Sequence, residues 1–238
     1  MPLFRALPFL TLLLMMTGLS RADAETMPFS PFTAHYRGEA NGMSVSDLGS
    51  RKLISLGQER YRIEYDASAM IYRLEEQSEF LWQAGQPRPL QYDSTRGTFL
   101  KKRKNHINFD WQRGRGTYVH KKKQGEFDLV AGMQDPLTST LLLALEVQSG
   151  KAEIQFMEAK DNDQELRKFV LLDKPTISTE SGNIKTFHLK RLHDDDKRQT
   201  EIWLHHEYPF IPVKVEQNDD GDHNLTFIVG NDRTGKWI

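Results

Sequence analysis

Three groups of residues in this chain are of types that do chemistry: a histidine-rich corner, an acidic run and two basic clusters. His205-His206-Glu207 lies near His193 and Asp194-Asp195-Asp196. Imidazoles and carboxylates are metal ligands, but a metal site needs several of them converging on one point with a supporting shell. Adjacent histidines on an extended chain point to opposite faces. The corner therefore reads as a polar loop before Pro209, and no metal is assigned. Glu216-Gln217-Asn218-Asp219-Asp220-Gly221 looks like the opening of a calcium loop, yet Phe227 stands where the closing glutamate belongs. A hairpin turn is the expectation there. The chain has no Gly-x-Ser-x-Gly elbow, no HExxH, no cysteine nucleophile and no glycine-rich phosphate loop between a strand and a helix. No catalytic residue and no cofactor follow from these patterns.

The basic clusters say more. Lys101-Lys102-Arg103-Lys104 and Lys121-Lys122-Lys123 flank the turn Arg113-Gly114-Arg115-Gly116. If the flanking strands pair, all seven cations lie at one end of one hairpin. A lysine ammonium is costly in an apolar site unless paired, so these strand ends must project past the core into water. The expectation is a local positive surface formed by Lys101, Lys102, Arg103, Lys104, Lys121, Lys122 and Lys123. It reads either as a solvated edge hairpin, whose lysines deter edge-to-edge pairing, or as a surface for an anionic partner of the envelope such as lipid headgroups or a polyanionic glycan, with Lys102, Lys104 and Lys122 as contacts.

The elements that must carry these residues read as strand after strand. Phe32, Ala34 and Tyr36 alternate with Thr33, His35 and Arg37, and Tyr61, Ile63 and Tyr65 alternate with Arg62, Glu64 and Asp66. That is the period of a half-buried strand. Asn41-Gly42, Gly57-Gln58-Glu59, Asp161-Asn162-Asp163 and Asp219-Asp220-Gly221 separate such runs with turn residues. The links are too short for crossovers, so the pairing is antiparallel. Gly85-Gln86-Pro87-Arg88-Pro89 is expected to be a loop, because two prolines remove ladder donors. Ile107, Phe109 and Trp111 are expected on one inward face, with Val119 sharing it across an odd-numbered turn. Trp203 should face away from Ile202 and Leu204.

One segment is helical. Asp135-Pro136 supplies a capping carboxylate and a proline for the first turn. Leu137, Leu141, Leu142 and Leu145 recur at helical spacing, and Gly150 lies past the end. The fold class expected is mainly β: a large curled antiparallel sheet, or open β-barrel, with one short apolar helix packed inside.

The N-terminus carries an address. Arg5 precedes the largely apolar stretch of about 14 residues from Ala6 to Leu19, and Ala22-Asp23-Ala24 has the small-x-small pattern of a cleavage site. The stretch is short of the roughly 20 residues of a spanning helix. Residues 1–24 are therefore expected to be a cleaved signal peptide, leaving 25–238 as one mainly-β domain in the periplasm, with no transmembrane segment. There is no cysteine to carry a lipid or form a disulfide. The 238 residues are 38% hydrophobic and 27% charged, an ordinary globular composition, and the net charge of −1 points to no nucleic-acid partner.

Four blocks, in this order, carry a family resemblance. They are Pro89-Leu90-Gln91-Tyr92 with Lys101–Asn105 and Ile107–Trp111; Gln134–Ser139; Thr179–Gly182 leading into Thr186-Phe187; and Ile202-Trp203-Leu204 with Pro209–Val215. Together they resemble the bacterial domain of unknown function 3108 family. The resemblance implies an exported envelope protein of unestablished activity and brings no catalytic residues. The chain departs from that family in having no arginine between Asp135 and Gly150. A curled sheet with an internal helix is also similar to periplasmic lipoprotein carriers at the level of fold. The leading functional reading is a non-catalytic envelope-maintenance protein whose curled sheet offers a cavity or groove to an apolar or lipid-like ligand. The alternatives are an assembly factor using an exposed strand edge and a hydrolase with an unrecognised site.

Overall fold

The computed structural model of the chain describes residues 27–40, 43–69, 71–179, 182–194, 197–208, 210–219 and 223–229. The expected signal peptide lies outside them, as do Asn41-Gly42 and Asp220-Gly221. The described chain opens with seven strands: β1 (Phe32–Ala40), β2 (Met43–Gly57), β3 (Arg60–Ala69), β4 (Tyr72–Gln83), β5 (Gln86–Thr98), β6 (Lys102–Asp110) and β7 (Arg115–His120). Then come β8 (Lys123–Asp128), the helix α1 (Thr138–Gln148), β9 (Glu153–Lys160) and β10 (Asp163–Asp173). The chain continues through β11 (Thr176–Thr179), β12 (Gly182–Leu192), β13 (Arg198–His205), β14 (Pro212–Asp219) and β15 (His223–Val229).

These strands form one continuous antiparallel sheet in the order β8-β7-β6-β5-β4-β3-β2-β1-β15-β14-β13-β12-β10-β9, with β11 pairing only β12. The first strand meets the last, Tyr36 opposite Val229. The ladder leaves β8 and β9 at its two ends and does not close into a barrel. The 129–152 connection that joins those ends holds α1. Gln134 ties this connection to β9 and β5: its N–H donates to Met157 O at 2.9 Å and its carbonyl accepts from Ala159 N–H at 2.8 Å. Its side-chain amide donates to Pro87 O at 3.1 Å.

The helix fills the curl. Leu141 and Ala144 are fully buried and Leu137, Leu142, Leu143 and Val147 nearly so, in one cluster with Leu53, Ile63, Phe80, Tyr92 and Ile107. Asp135 starts it as expected: Oδ1 accepts from Leu137 N–H at 2.8 Å and Thr138 N–H at 3.0 Å. Ser139 N–H closes the first helical bond on Asp135 O at 2.9 Å.

Three local expectations need correction. Pro87 and Pro89 lie inside β5, opposite Trp82 and Phe80. Their carbonyls accept from Gln134 Nε2 and Trp111 Nε1, so that side of the strand faces away from β4. The pairing of β6 with β5 reaches only Gln91, so the missing N–H groups leave no ladder bond unmade. Val119 is outside, opposite His106, and 48% exposed. The turn between Asp110 and Arg115 holds four residues, an even number, which reverses the face expected from an odd one. The strand returning from that turn, expected from the sequence to run from Thr117 to Lys123, instead ends at His120, breaks at Lys121, whose φ is +57°, and turns into β8. Other expectations stand: Ile107 and Phe109 are buried, and Trp111 packs against their cluster with its ring stacked on Phe109. Trp203 lies on the outer face, stacked on His188 with ring centroids 4.2 Å apart.

Candidate functional site

The sheet brings both basic clusters to one end. Asn105 pairs with His120, and Lys121 N–H donates to Lys104 O at 3.3 Å. Lys101–Lys104 on the start of β6 are thus neighbours of Lys121-Lys122 in the β7–β8 turn and Lys123 at the start of β8. All seven side chains are exposed. Among the described residues none of them is in an ion pair. Several arginines elsewhere on the same sheet are neutralised: Arg115 by Asp128 at 2.9 Å, Arg73 by Asp66 at 2.8 Å, and Arg62 by Glu79 at 2.7 Å. The bonds from Arg62 hold the Glu79 carboxyl below its ordinary pKa. Arg96 and Asp161 also pair with each other. The field of the seven unpaired charges reaches solvent over about 8 Å at physiological salt.

Exposed apolar residues cap the same end. The strands alternate in direction, so the β3–β4 and β5–β6 connections share it, and Tyr72 lies opposite Thr98. Phe99 is 90% exposed, Leu100 93% and Ile71 76%. Between the two connections lies a groove of about 340 Å³ lined by Ser68, Ile71, Tyr72, Thr98, Phe99 and Lys102, among others. The available signal was Phe99-Leu100 falling directly before Lys101.

The interior carries a second constellation. Arg51 pairs with Tyr65, Tyr65 with Glu76, Glu76 with Ser94, Ser94 with Asn105, and Asn105 with His120. Directly paired residues share a face, so six neighbouring strands set one polar row inside the sheet. Arg51 donates to Leu137 O at 3.1 Å, and Tyr92 Oη donates to Glu76 Oε1 at 2.5 Å. Burial pushes the Tyr36 phenol up to about 12 and pulls Arg51 below its ordinary value. Next to this row, Ser78 donates to Asp135 Oδ2 at 2.5 Å. Burial raises the Asp135 carboxyl to about 6. Because Asp135 Oδ1 is occupied by two helix N–H groups, this serine–aspartate contact anchors the helix.

The histidines of the C-terminal corner have separate structural contacts. His205 Nδ1 accepts from Glu207 and Tyr208 N–H at 3.1 and 3.2 Å, and burial lowers its pKa. His206 stacks on Phe187, and His193 Nε2 lies 3.1 Å from Thr200 Oγ1. Among the described residues no group of three or more histidines and acids is placed to hold a metal ion, and no helix is long and apolar enough to cross a membrane.

A family model described as "Protein of unknown function (DUF3108)" matches residues 32–227. Among solved structures, the chain is similar to the crystal structure of a beta-barrel-like protein of domain of unknown function DUF1849 from Brucella abortus. The two are 13% identical with a TM-score of 0.55, over 84% of this chain and 95% of that one. That likeness is one of fold. No curated protein matches the chain.

Proposed function

We propose, for a chain that belongs to the DUF3108 family of proteins of unknown function, a non-catalytic role as an exported periplasmic protein that docks on an anionic envelope surface. The observation that carries this reading is the convergence of seven exposed, unpaired cations on one end of the sheet. The signal-like N-terminus supports the compartment, since Arg5, the Ala6–Leu19 stretch and Ala22-Asp23-Ala24 follow the export pattern. Lysines and arginines near an anionic lipid surface contribute about 1 kcal/mol each, so a cluster of this size suffices for reversible association despite the net charge of the whole chain. The lipid-like ligand belongs at this same end, at the groove beside Phe99 with Lys102 on its rim. The inside of the curl is a poorer place for it, because α1 fills one part and the polar row lines another.

Cosedimentation with vesicles tests the reading. Protein isolated in the form its own cells make is mixed with phosphatidylglycerol-containing or pure phosphatidylcholine vesicles at low salt. Much tighter binding to the anionic vesicles than to the neutral ones is expected. Equal binding to both, or to neither, rejects electrostatic docking.

A further inference from the structure

The connection between β5 and β6 is a two-residue hairpin loop. Thr98 N–H donates to Lys101 O at 3.1 Å, and Lys101 N–H returns to Thr98 O at 3.2 Å. The two residues between them are Phe99 and Leu100. Tight hairpin loops usually carry Gly, Asn or Asp at these positions, for reasons of backbone conformation and of solvation. Here two large apolar side chains stand in water with about a tenth of their surface covered or less. Ile71 stands beside them on the adjacent connection, and Tyr72 is half exposed at its base.

Clustered apolar exposure of this kind marks a contact surface. The surroundings say which kind. Lys101 and Lys102 follow the loop directly, and Arg103, Lys104 and Lys121–Lys123 lie on the neighbouring strand ends. Apolar tips with a collar of unpaired cations and a tyrosine at the boundary match the layers of an anionic bilayer: acyl chains, headgroup phosphates and the interface between them. A polyanionic glycan would satisfy the collar and leave the tips in water.

We infer that Ile71, Phe99 and Leu100 insert into the acyl boundary of an anionic phospholipid bilayer while the basic collar holds the headgroups. This rests on the docking reading above and names its partner as the bilayer itself. Electrostatic attraction is screened by salt and apolar burial is not. The binding therefore has two separable components, one lost at high salt and one retained.

The test compares the parent with the double variant Phe99→Ser/Leu100→Ser on phosphatidylglycerol-containing vesicles at low and high salt. Both positions are exposed, so the fold is unaffected, and circular dichroism checks this. The parent is expected to keep measurable binding at high salt, and the variant to bind roughly tenfold or more weakly there. A second variant, Phe99→Trp, is expected to gain fluorescence that brominated acyl chains quench. If the double variant binds like the parent at high salt and brominated lipid leaves the emission of the Phe99→Trp variant untouched, insertion is wrong. If the parent then binds a soluble polyanion as tightly as the vesicles, charge alone is the partner's signature. Absence of any binding to anionic vesicles at low salt rejects the docking reading itself.

Discussion

Ser78 and Asp135 are 57 residues apart in sequence and 2.5 Å apart in space, the serine hydroxyl donating to Oδ2 of a fully buried carboxyl. This contact fastens the start of α1 to the middle of β4. It also ties helix position to proton binding, because burial lifts the Asp135 carboxyl from 3.8 to about 6. Below about 3.8 the folded and unfolded chains both hold the proton. Between 3.8 and 6 the folded chain keeps it while the unfolded chain loses it, so stability from this group falls as pH rises. Above 6 the loss is complete, on the order of 3 kcal/mol. Asp135→Asn retains the acceptor for Leu137 and Thr138 N–H and lets the amide donate to Ser78. Urea titrations from pH 4 to 7 should show the parent losing stability relative to Asp135→Asn across that window. Parallel curves would contradict the assignment.

Leu141 is fully buried where the helix fills the sheet. Leu141→Ala should cost about 2–5 kcal/mol, the removed methyl groups plus the cavity they leave. Thermal or urea unfolding measures it. An unchanged midpoint would mean that the helix is not part of the core.

Trp111 Nε1 donates to Pro89 O at 2.6 Å, and Arg88 lies over the indole ring at 4.9 Å. Trp111→Phe keeps the stacking on Phe109 and removes the donor. The expected loss is about 1–2 kcal/mol, from a part-buried carbonyl left without its partner. A neutral substitution would show that water replaces the indole without cost.

These residues also show what was legible in the sequence. The alternation of Phe32, Ala34 and Tyr36, the turn residues and the Asp135-Pro136 start each act through nearest neighbours, and each is visible in one chain. Pro87 and Pro89 misled because their effect depends on which side of β5 lacks a partner, and that is a property of β6. Val119 misled because one residue of turn length reverses a face. The interior row from Arg51 to His120 was illegible for a related reason. Polar residues inside a sheet look like the exposed half of the alternation until the cross-strand register lines them up. Of the candidate site, the cations could be read because charge excludes them from the core. Phe99, Leu100 and Ile71 could not, since apolar residues at strand ends ordinarily point to burial.

The central claim is that the seven-cation end docks on anionic lipid. It is tested most directly by reversing Lys102, Lys104 and Lys122 to glutamate together and measuring partitioning onto phosphatidylglycerol-containing vesicles at low salt. All three side chains are exposed and outside any ion pair among the described residues, so unfolding curves should match the parent. At about 1 kcal/mol for each lysine, partitioning should fall roughly hundredfold, with little change on neutral vesicles. Binding of the triple variant equal to that of the parent would contradict the account.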